Sequence, residues 1–312
     1  MSLTSQEIHT PVVQARAPSL GKLFSHIVVL FKLRIVGLLL FAAWGGAMLA
    51  SGGRPPAGDM LLLTVTGALA AGGSGALNEF LEREQDALMR RTRRRPLATG
   101  ELRPLWAAVA GAGAVLLAVA LALAAGNPTL AFFLALGALI YVGVYTVWLK
   151  PRTILSVVIG GAAGSAAVLS GSAAVGHWSH PGALLLATLL FTWSPSHFWS
   201  LALVYRKDYA QARFPMLPVV MDRRRAVLWT LTHMGVTGLI GLALGAQVAL
   251  GLPYLVPIAA ATLWLGRDSL KLVRAHTQGD EGHEGQQAML LFRASNIYLA
   301  LVLLMICVAT LI

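Results

Sequence analysis

Long stretches without any charged side chain constrain this chain more than any other feature of its sequence. Six of them, of 19, 19, 46, 53, 41 and 19 residues, cover residues 35–53, 60–78, 104–149, 153–205, 226–266 and 294–312. A helix needs about 20 apolar residues to cross the hydrocarbon core of a bilayer. Because 57% of the residues are hydrophobic and 12% are charged, the sequence predicts an integral membrane protein and excludes a soluble or disordered one.

Three of these stretches are too long for one crossing, and each has a turn signal near its middle. The signals are Gly126-Asn127-Pro128, Gly176–Pro181 and Gly251-Leu252-Pro253, so each stretch is predicted to form a helical hairpin. We therefore expect an all-α bundle of nine transmembrane helices. The predicted helices cover residues 26–51, 59–82, 105–125, 129–149, 154–175, 182–205, 226–250, 253–272 and 290–311.

The distribution of Lys and Arg predicts the orientation of this bundle. With the N-terminus in the cytoplasm and the C-terminus outside, 23 of the 24 basic residues lie on the inner side and only Arg54 lies outside. The net charge of +11 then follows from topology and from contact with anionic lipid, so nucleic acid is not needed as a partner. The single cysteine, Cys307, excludes an internal disulfide.

Domain organisation is simple. Residues 1–23 are predicted to form a polar N-terminal tail without the apolar core of a secretory signal, and residues 24–312 a single transmembrane domain. The Ala-, Gly- and Arg-rich composition fits a bacterial inner membrane, and an organelle-targeting interpretation of the tail stays open.

Asn78, Glu82 and Asp86 recur every four residues at the end of the second predicted helix. This spacing brings three oxygen-bearing side chains to one helical face over about 12 Å. Stacked carboxylates repel each other, and Mg²⁺ bridged to substrate phosphates would relieve that repulsion. A frayed helix end with local ion pairs is the alternative.

Five arginines follow this face within residues 90–95. Arg pairs bidentately with phosphate, so an acidic face beside a basic cluster favours a site for a magnesium-bound diphosphate. Topology alone would explain arginines, but not their position next to carboxylates.

Two other polar segments lie on the predicted inner side. Asp208 could complete the metal site, or could pair locally with Arg206 or Lys207. His197 lies about two turns inside the sixth helix, where a histidine is either functional or a buried structural group. Lys150 and Arg152 end the fourth helix as membrane anchors or as anion-binding groups.

Together these motifs resemble the intramembrane aromatic prenyltransferase superfamily, and within it the branch that acts on haem. The matching blocks occur in order between residues 78 and 219, and Glu82 favours the haem branch because most other branches have Asp there. They are Asn78-x-x-x-Glu82-x-x-x-Asp86, Met89, Arg91-Thr92, Arg95-Pro96-Leu97, Tyr145-Thr146, Leu149-Lys150-x-Arg152-Thr153, Ile159-Gly160-Gly161, His197-Phe198-Trp199, Asp208-Tyr209 and Pro215-Met216-Leu217-Pro218-Val219.

Six positions depart from the pattern of that family and leave the diphosphate motifs intact. Prolines are usual at Leu33, Ala166, Ala167 and Ser196, an asparagine at Ser156, and a glycine at Arg213.

The resemblance implies transfer of a farnesyl group from farnesyl diphosphate to the 2-vinyl group of haem b, with addition of water. It implies Mg²⁺ held by the catalytic residues Asn78, Glu82, Asp86 and Asp208, and diphosphate bound by Arg91, Arg95, Lys150, Arg152 and Lys207. His197 would contact haem through its iron or a propionate, and Arg34 and Arg206 would bind propionates. A haem-oxidising enzyme is a further expected partner.

Two alternatives remain. One is Mg²⁺-dependent prenylation of another aromatic acceptor, and the other is a carrier for haem or an organic anion. Carriers tend to have charged residues near the bilayer midplane, whereas here the charges gather at helix ends.

Overall fold

A computed structural model describes residues 20–248 and 250–312, and helices are the regular secondary structure throughout those ranges. Residues 1–19 of the predicted tail lie outside the described part. The helices are α1 (Leu20–Leu30), α2 (Leu33–Ala50), α3 (Ala57–Leu81), α4 (Arg83–Leu88), α5 (Pro104–Ala124), α6 (Pro128–Ala138, continued by a π-helical segment, Leu139–Leu149), α7 (Ser156–Gly160), α8 (Ala162–Ala174), α9 (Pro181–Val204), α10 (Arg206–Gln211), α11 (Leu217–Val220), α12 (Arg223–Gln247), α13 (Gly251–Thr277) and α14 (Glu281–Leu311).

Seven of the described helical units are long and apolar enough to cross a membrane. They are α2, α3, α5, α6 with the π-helical segment, α7 with α8, α12 and α14. Helices α9 and α13, with 24 and 27 residues, are long as well but are not among these seven. The predicted all-α, multi-pass class is confirmed.

The three predicted hairpin breaks are all present. Left-handed Gly126, Gly176 and Gly251, with φ of 75°, 82° and 70°, reverse the chain after α5, α8 and α12. Asn127 secures the first turn, because its Oδ1 accepts from Leu130 N at 2.9 Å and its Nδ2 donates to Ala173 O at 3.0 Å.

Long helices that follow one another in the chain pack side by side, and α14 returns to contact α2. Helices α2 and α8 approach closely because glycines face backbone there. A Cβ at Gly46 would collide with the Val168 carbonyl, and one at Gly171 with the Ala43 carbonyl. The bundle is therefore closed by small-residue contacts, and large apolar side chains such as Leu239 and Leu263 remain exposed on its outside.

The prediction of one unbroken first helix over residues 26–51 is wrong, because two helices, α1 and α2, occupy this segment. The chain breaks at Lys32, which has left-handed dihedral angles, φ 51° and ψ 46°, and separates α1 from α2. His26 Nε2 in α1 lies 2.7 Å from Glu101 Oε2 in the loop before α5. The hydrogen bonds from His26 and from Lys22 lower the pKa of the Glu101 carboxyl. Helix α1 is thereby tied to that loop.

The fourth predicted helix keeps its bounds but changes its winding. Residues 139–149 form π-helix, in which Lys150 N donates to Tyr145 O at 2.8 Å, five residues back. Tyr141 and Tyr145 stack with ring centroids 5.8 Å apart. This winding gathers polar side chains at the end of the helix that faces α3.

Candidate active site

The three predicted oxygen ligands of α3 and α4 lie together. Glu82 N donates to Asn78 O at 3.0 Å and Asp86 N donates to Glu82 O at 2.7 Å, so the four-residue spacing stays helical across the junction of the two helices. All three side chains are buried. Buried carboxylates require charged or hydrogen-bonding partners, and each of these has one.

Glu82 is paired with the end of the π-helical segment. Lys150 Nζ lies 2.5 Å from Glu82 Oε1, and both side chains are about nine-tenths buried. The Lys150 ammonium also lies over the rings of Phe214 and Tyr145, 4.5 and 5.5 Å from their centroids. Predicted metal ligand and predicted anion-binding residue are therefore in direct contact.

Asp86 is paired with the arginine-rich loop. Arg95 Nη1 donates to Asp86 Oδ2 at 2.6 Å, and Thr92 Oγ1 donates to the Asp86 carbonyl at 3.0 Å. Burial alone would lower the pKa of Arg95, but the Asp86 carboxylate raises it above its usual value. Arg95 is therefore held as a cation beside the carboxylate face.

Asp208 brings the second predicted segment to the first. Its buried carboxylate accepts from Arg90 N at 3.0 Å and from Arg90 Nε at 3.2 Å. Met89 and Tyr145 share one apolar cluster with Tyr209 and Phe214. The ends of α4, the π-helical segment and α10 therefore meet in one place, as the combined motifs predict.

Lys32 is a site residue that the sequence prediction missed. Its ammonium donates to Asn78 Oδ1 and, at 3.2 Å, to the Tyr141 hydroxyl. Asn78 Nδ2 in turn donates to Thr146 Oγ1 at 2.9 Å. The sequence signal for this residue is the segment Lys32-Leu33-Arg34, because an unbroken apolar helix would not have two basic residues there.

The oxygen donors of Asn78, Glu82, Asp86 and Asp208 are of the kind that suits a magnesium ion. In this structure their three carboxylates form ion pairs. Within the described residues, no group of three or more His, Cys, Asp and Glu side chains is arranged to hold a metal. The physical reason is that Glu82, Asp86 and Asp208 each face their own cation. Glu79, however, is fully buried, and neither of its carboxylate oxygens has a hydrogen-bond partner among the described residues. Hard oxygen donors with one carboxylate still unsatisfied fit Mg²⁺.

The other predicted basic residues lie further out. Arg91 and Lys207 are exposed. Arg152 is exposed too, and it donates to the Val147 and Trp148 carbonyls at 2.9 and 2.7 Å, which caps the end of the π-helical segment. Arg34 and Arg206, predicted to bind propionates, are also exposed.

His197 lies in α9, seven residues before the helix ends at Val204, or about 10 Å deeper along its axis. Its ring stacks between Trp193 and Phe292, with centroids 4.1 and 4.4 Å away. Its Nδ1 lies 2.9 Å from Ser295 Oγ. His197 is thus held at the interface of α9 and α14, apart from the charged cluster.

These features define a multi-pass helical membrane protein with a buried, charge-balanced site at one end of its bundle. Residues 38–296 match the UbiA prenyltransferase family. The chain is 38% identical over 279 residues to the protoheme IX farnesyltransferase of Sulfolobus acidocaldarius. This alignment covers 89% of this chain and 93% of that protein. The chain therefore belongs to the UbiA prenyltransferase family.

Solved structures share the fold at low sequence identity. A digeranylgeranylglyceryl phosphate synthase aligns with a TM-score of 0.74 and 14% identity, over 93% of this chain and 99% of that one. A UbiA homologue from Archaeoglobus fulgidus, bound to DMAPP and Mg²⁺, aligns with a TM-score of 0.61 and 16% identity, over 88% and 99%.

The contact between Asp208 and Arg90 gives a prediction for the two loops. Asp208→Ala removes two hydrogen bonds to a carboxylate, so the amide of Arg90 should exchange with deuterium about tenfold faster, which corresponds to about 1–2 kcal/mol. Asp222→Ala, which removes a capping bond to Arg225 N, should affect the start of α12 and leave Arg90 unchanged. Unaltered exchange at Arg90 in Asp208→Ala would contradict the contact.

Proposed function

We propose that this protein transfers a farnesyl group from farnesyl diphosphate to the 2-vinyl group of haem b, with addition of water. The observation that carries the proposal is the set of buried carboxylate–cation pairs, Glu82 with Lys150 and Asp86 with Arg95, in a chain of the prenyltransferase family. The Sulfolobus relative named above supports haem as the acceptor.

Such a site can receive a metal-bound diphosphate by exchange of partners. Asn78, Glu82, Asp86 and Asp208 would hold Mg²⁺, which when bound supplies positive charge to the leaving diphosphate. Lys150 and Arg95 would leave their carboxylates and pair with phosphate oxygens. Because cations and anions are already matched, the exchange keeps the buried charge balanced, which limits the desolvation cost.

Lys32 adds a cation whose contacts within the described residues are neutral, the Asn78 amide and the Tyr141 hydroxyl. It can therefore turn to a phosphate oxygen without leaving a carboxylate unpaired. Arg91, Arg152 and Lys207, whose side chains are exposed, would form an outer set that attracts the anion.

The bond that breaks joins C1 of the farnesyl chain to the diphosphate oxygen. Charge grows on the leaving group, and Lys150, Arg95 and Lys32 stabilise it. The terminal carbon of the vinyl group then bonds to the allylic cation. Water adds to the carbon next to the porphyrin ring and loses a proton, which completes the hydroxyethylfarnesyl side chain. The apolar walls must delay water, because early capture of the cation gives farnesol.

The acceptor would lie deeper in the bilayer than the diphosphate. His197 is about 10 Å further along α9 than the end that leads to Asp208. A planar, apolar haem would contact His197, and its propionates would extend towards Arg34 and Arg206. A haem-oxidising enzyme would then consume the product.

For the membrane arrangement we propose nine crossings, formed by the seven apolar units together with α9 and α13. The N-terminus would lie in the cytoplasm and the C-terminus outside, in the inner membrane of a bacterial cell. Alkaline phosphatase fused after Ile312 should then be active, and an inactive fusion would contradict the orientation.

Replacement of the paired carboxylates tests the metal site. Glu82→Gln and Asp86→Asn should each lower Mg²⁺-dependent transfer on the order of 100-fold or more, because each removes a ligand for the cation on the leaving group. Glu84→Gln, at a neighbouring carboxylate whose side chain is 79% exposed, is the matched control and should remain active.

Stability separates loss of a ligand from loss of the fold. Glu82→Gln leaves the Lys150 ammonium buried without its carboxylate, which lowers stability. The double variant Glu82→Gln, Lys150→Met removes both charges and is expected to recover the melting temperature without recovering activity. Mg²⁺-dependent transfer that survives in both Glu82→Gln and Asp86→Asn would refute the metal site.

The acceptor is tested by product mass. Purified protein in lipid nanodiscs, given farnesyl diphosphate, Mg²⁺ and haem b, should release diphosphate and form haem carrying a hydroxyethylfarnesyl group. The same mixture with 4-hydroxybenzoate in place of haem should give no prenylated product. The reverse pattern would indicate another aromatic acceptor, and no diphosphate release with either would refute transfer.

A further inference from the structure

One turn of α14 is fitted against one turn of α9 by three contacts. Trp193 Nε1 donates to the Ser295 carbonyl at 2.9 Å, and His197 Nδ1 lies 2.9 Å from Ser295 Oγ. The His197 ring also stacks on Phe292. Ser295 is fully buried and His197 is 8% exposed. The stacking therefore fixes the plane of the imidazole ring, and the contact with Ser295 fixes the direction in which Nδ1 points.

The hydroxyl of Ser295 determines which nitrogen of His197 carries the proton. Ser295 Oγ lies 2.8 Å from the carbonyl oxygen of Phe292. A carbonyl can only accept, so the single hydroxyl proton is donated to it. The Ser295 oxygen then offers His197 a lone pair, and His197 Nδ1 must be the donor.

A neutral imidazole with its proton on Nδ1 has a lone pair on Nε2. No described residue forms a hydrogen bond with His197 Nε2. Nor is Nε2 one of the described side-chain atoms that are fully enclosed without a partner, whereas Nδ1 of His26 and Nδ1 of His233 are. Of the two buried histidines among the described residues, His26 and His197, it is therefore His197 that presents an accessible, unused lone pair.

We propose that Ser295 is a positioning residue that holds His197 in the Nδ1–H form, so that Nε2 coordinates the iron of the haem acceptor. This inference rests on the proposed function and decides between the two contacts left open for His197. A neutral imidazole with a bare Nε2 cannot donate to a propionate there, whereas a lone pair on Nε2 is what iron requires. Histidines that bind metals usually donate their other N–H to an oxygen acceptor.

The arrangement also explains the aromatic contacts. Trp193 and Phe292 flank the ring and keep it from rotating out of the plane that the Ser295 bond sets. Coordination at a fixed nitrogen would fix the distance of the porphyrin from α9. The vinyl group would then meet the farnesyl cation at a reproducible place.

The test measures iron coordination separately from transfer. The full-length protein in nanodiscs is titrated with haem b, and its absorption and resonance Raman spectra are recorded in the ferrous state for wild type, His197→Ala, Ser295→Ala and Ser295→Thr. Ser200→Ala is the matched control, because the Ser200 hydroxyl is buried in α9, the helix of His197, and its hydrogen bond among the described residues goes to Ser196 O.

Wild type, Ser295→Thr and Ser200→Ala are expected to share an iron–histidine signal that His197→Ala lacks. Ser295→Ala should bind haem about 10- to 100-fold more weakly, with a shifted iron–histidine frequency. Ser295→Thr restores a hydroxyl and should recover both, which a purely structural role for Ser295 would not require.

Two results would overturn the proposal while leaving the function intact. One is an unchanged spectrum and affinity in Ser295→Ala. The other is an unchanged iron–histidine signal in His197→Ala in a protein that still forms the prenylated haem. Failure of the wild type to bind haem or to form that product would instead refute the haem acceptor, and the proposal with it.

Discussion

The pairing of buried carboxylates with cations at one end of the bundle is the interaction on which the rest of the structure depends. Charged groups in an apolar bundle are costly unless they are matched. Glu82 with Lys150 joins α3 to the π-helical segment, Asp86 with Arg95 folds the arginine-rich loop back, and Asp208 with Arg90 brings in α10. The same pairs that close the fold at this end would provide the charges for the proposed binding of a metal-bound diphosphate.

This arrangement separates two chemical tasks along the membrane normal. In the proposed reaction the polar end of the bundle would hold the diphosphate, and the apolar interior below it would receive the farnesyl chain and the haem. His197, Ser295 and the aromatic rings stacked on His197 would belong to the second region, apart from the ion pairs. Reaction would take place where the two regions meet. The allylic carbon is bonded to the diphosphate at the polar end and must reach the haem vinyl group in the apolar interior.

Much of the fold could be predicted from the sequence, because bilayer thickness and turn chemistry are strong constraints. Uncharged length predicted the helices, and Asn127 and the left-handed glycines marked their breaks. The break at Lys32 was not predicted, because a left-handed lysine is locally unfavourable and its side chain is held by tertiary contacts with Asn78 and Tyr141, which periodicity does not report. The π-helical winding of residues 139–149 is likewise a tertiary effect.

For the site, spacing predicted the carboxylate face but not its partners. Periodicity reports which side chains share a helical face, and it does not report which loop folds onto that face. Arg90 and Lys32 were therefore not predicted as site residues. Arg152, predicted to bind diphosphate, instead donates hydrogen bonds to carbonyls of the π-helical segment that precedes it. The departure at Arg213 has a structural cost: its φ of 57° is left-handed, which explains why a glycine is usual at that position and implies about 1 kcal/mol of strain here.

The central claim is that the paired charges exchange partners when the donor binds. A cryo-EM structure of the protein with Mg²⁺ and a non-hydrolysable farnesyl diphosphate analogue tests it most directly. We expect Lys150 and Arg95 on diphosphate oxygens, with Glu82 and Asp86 turned to the metal. Intact Lys150–Glu82 and Arg95–Asp86 pairs, with the analogue bound elsewhere in the bundle, would contradict it.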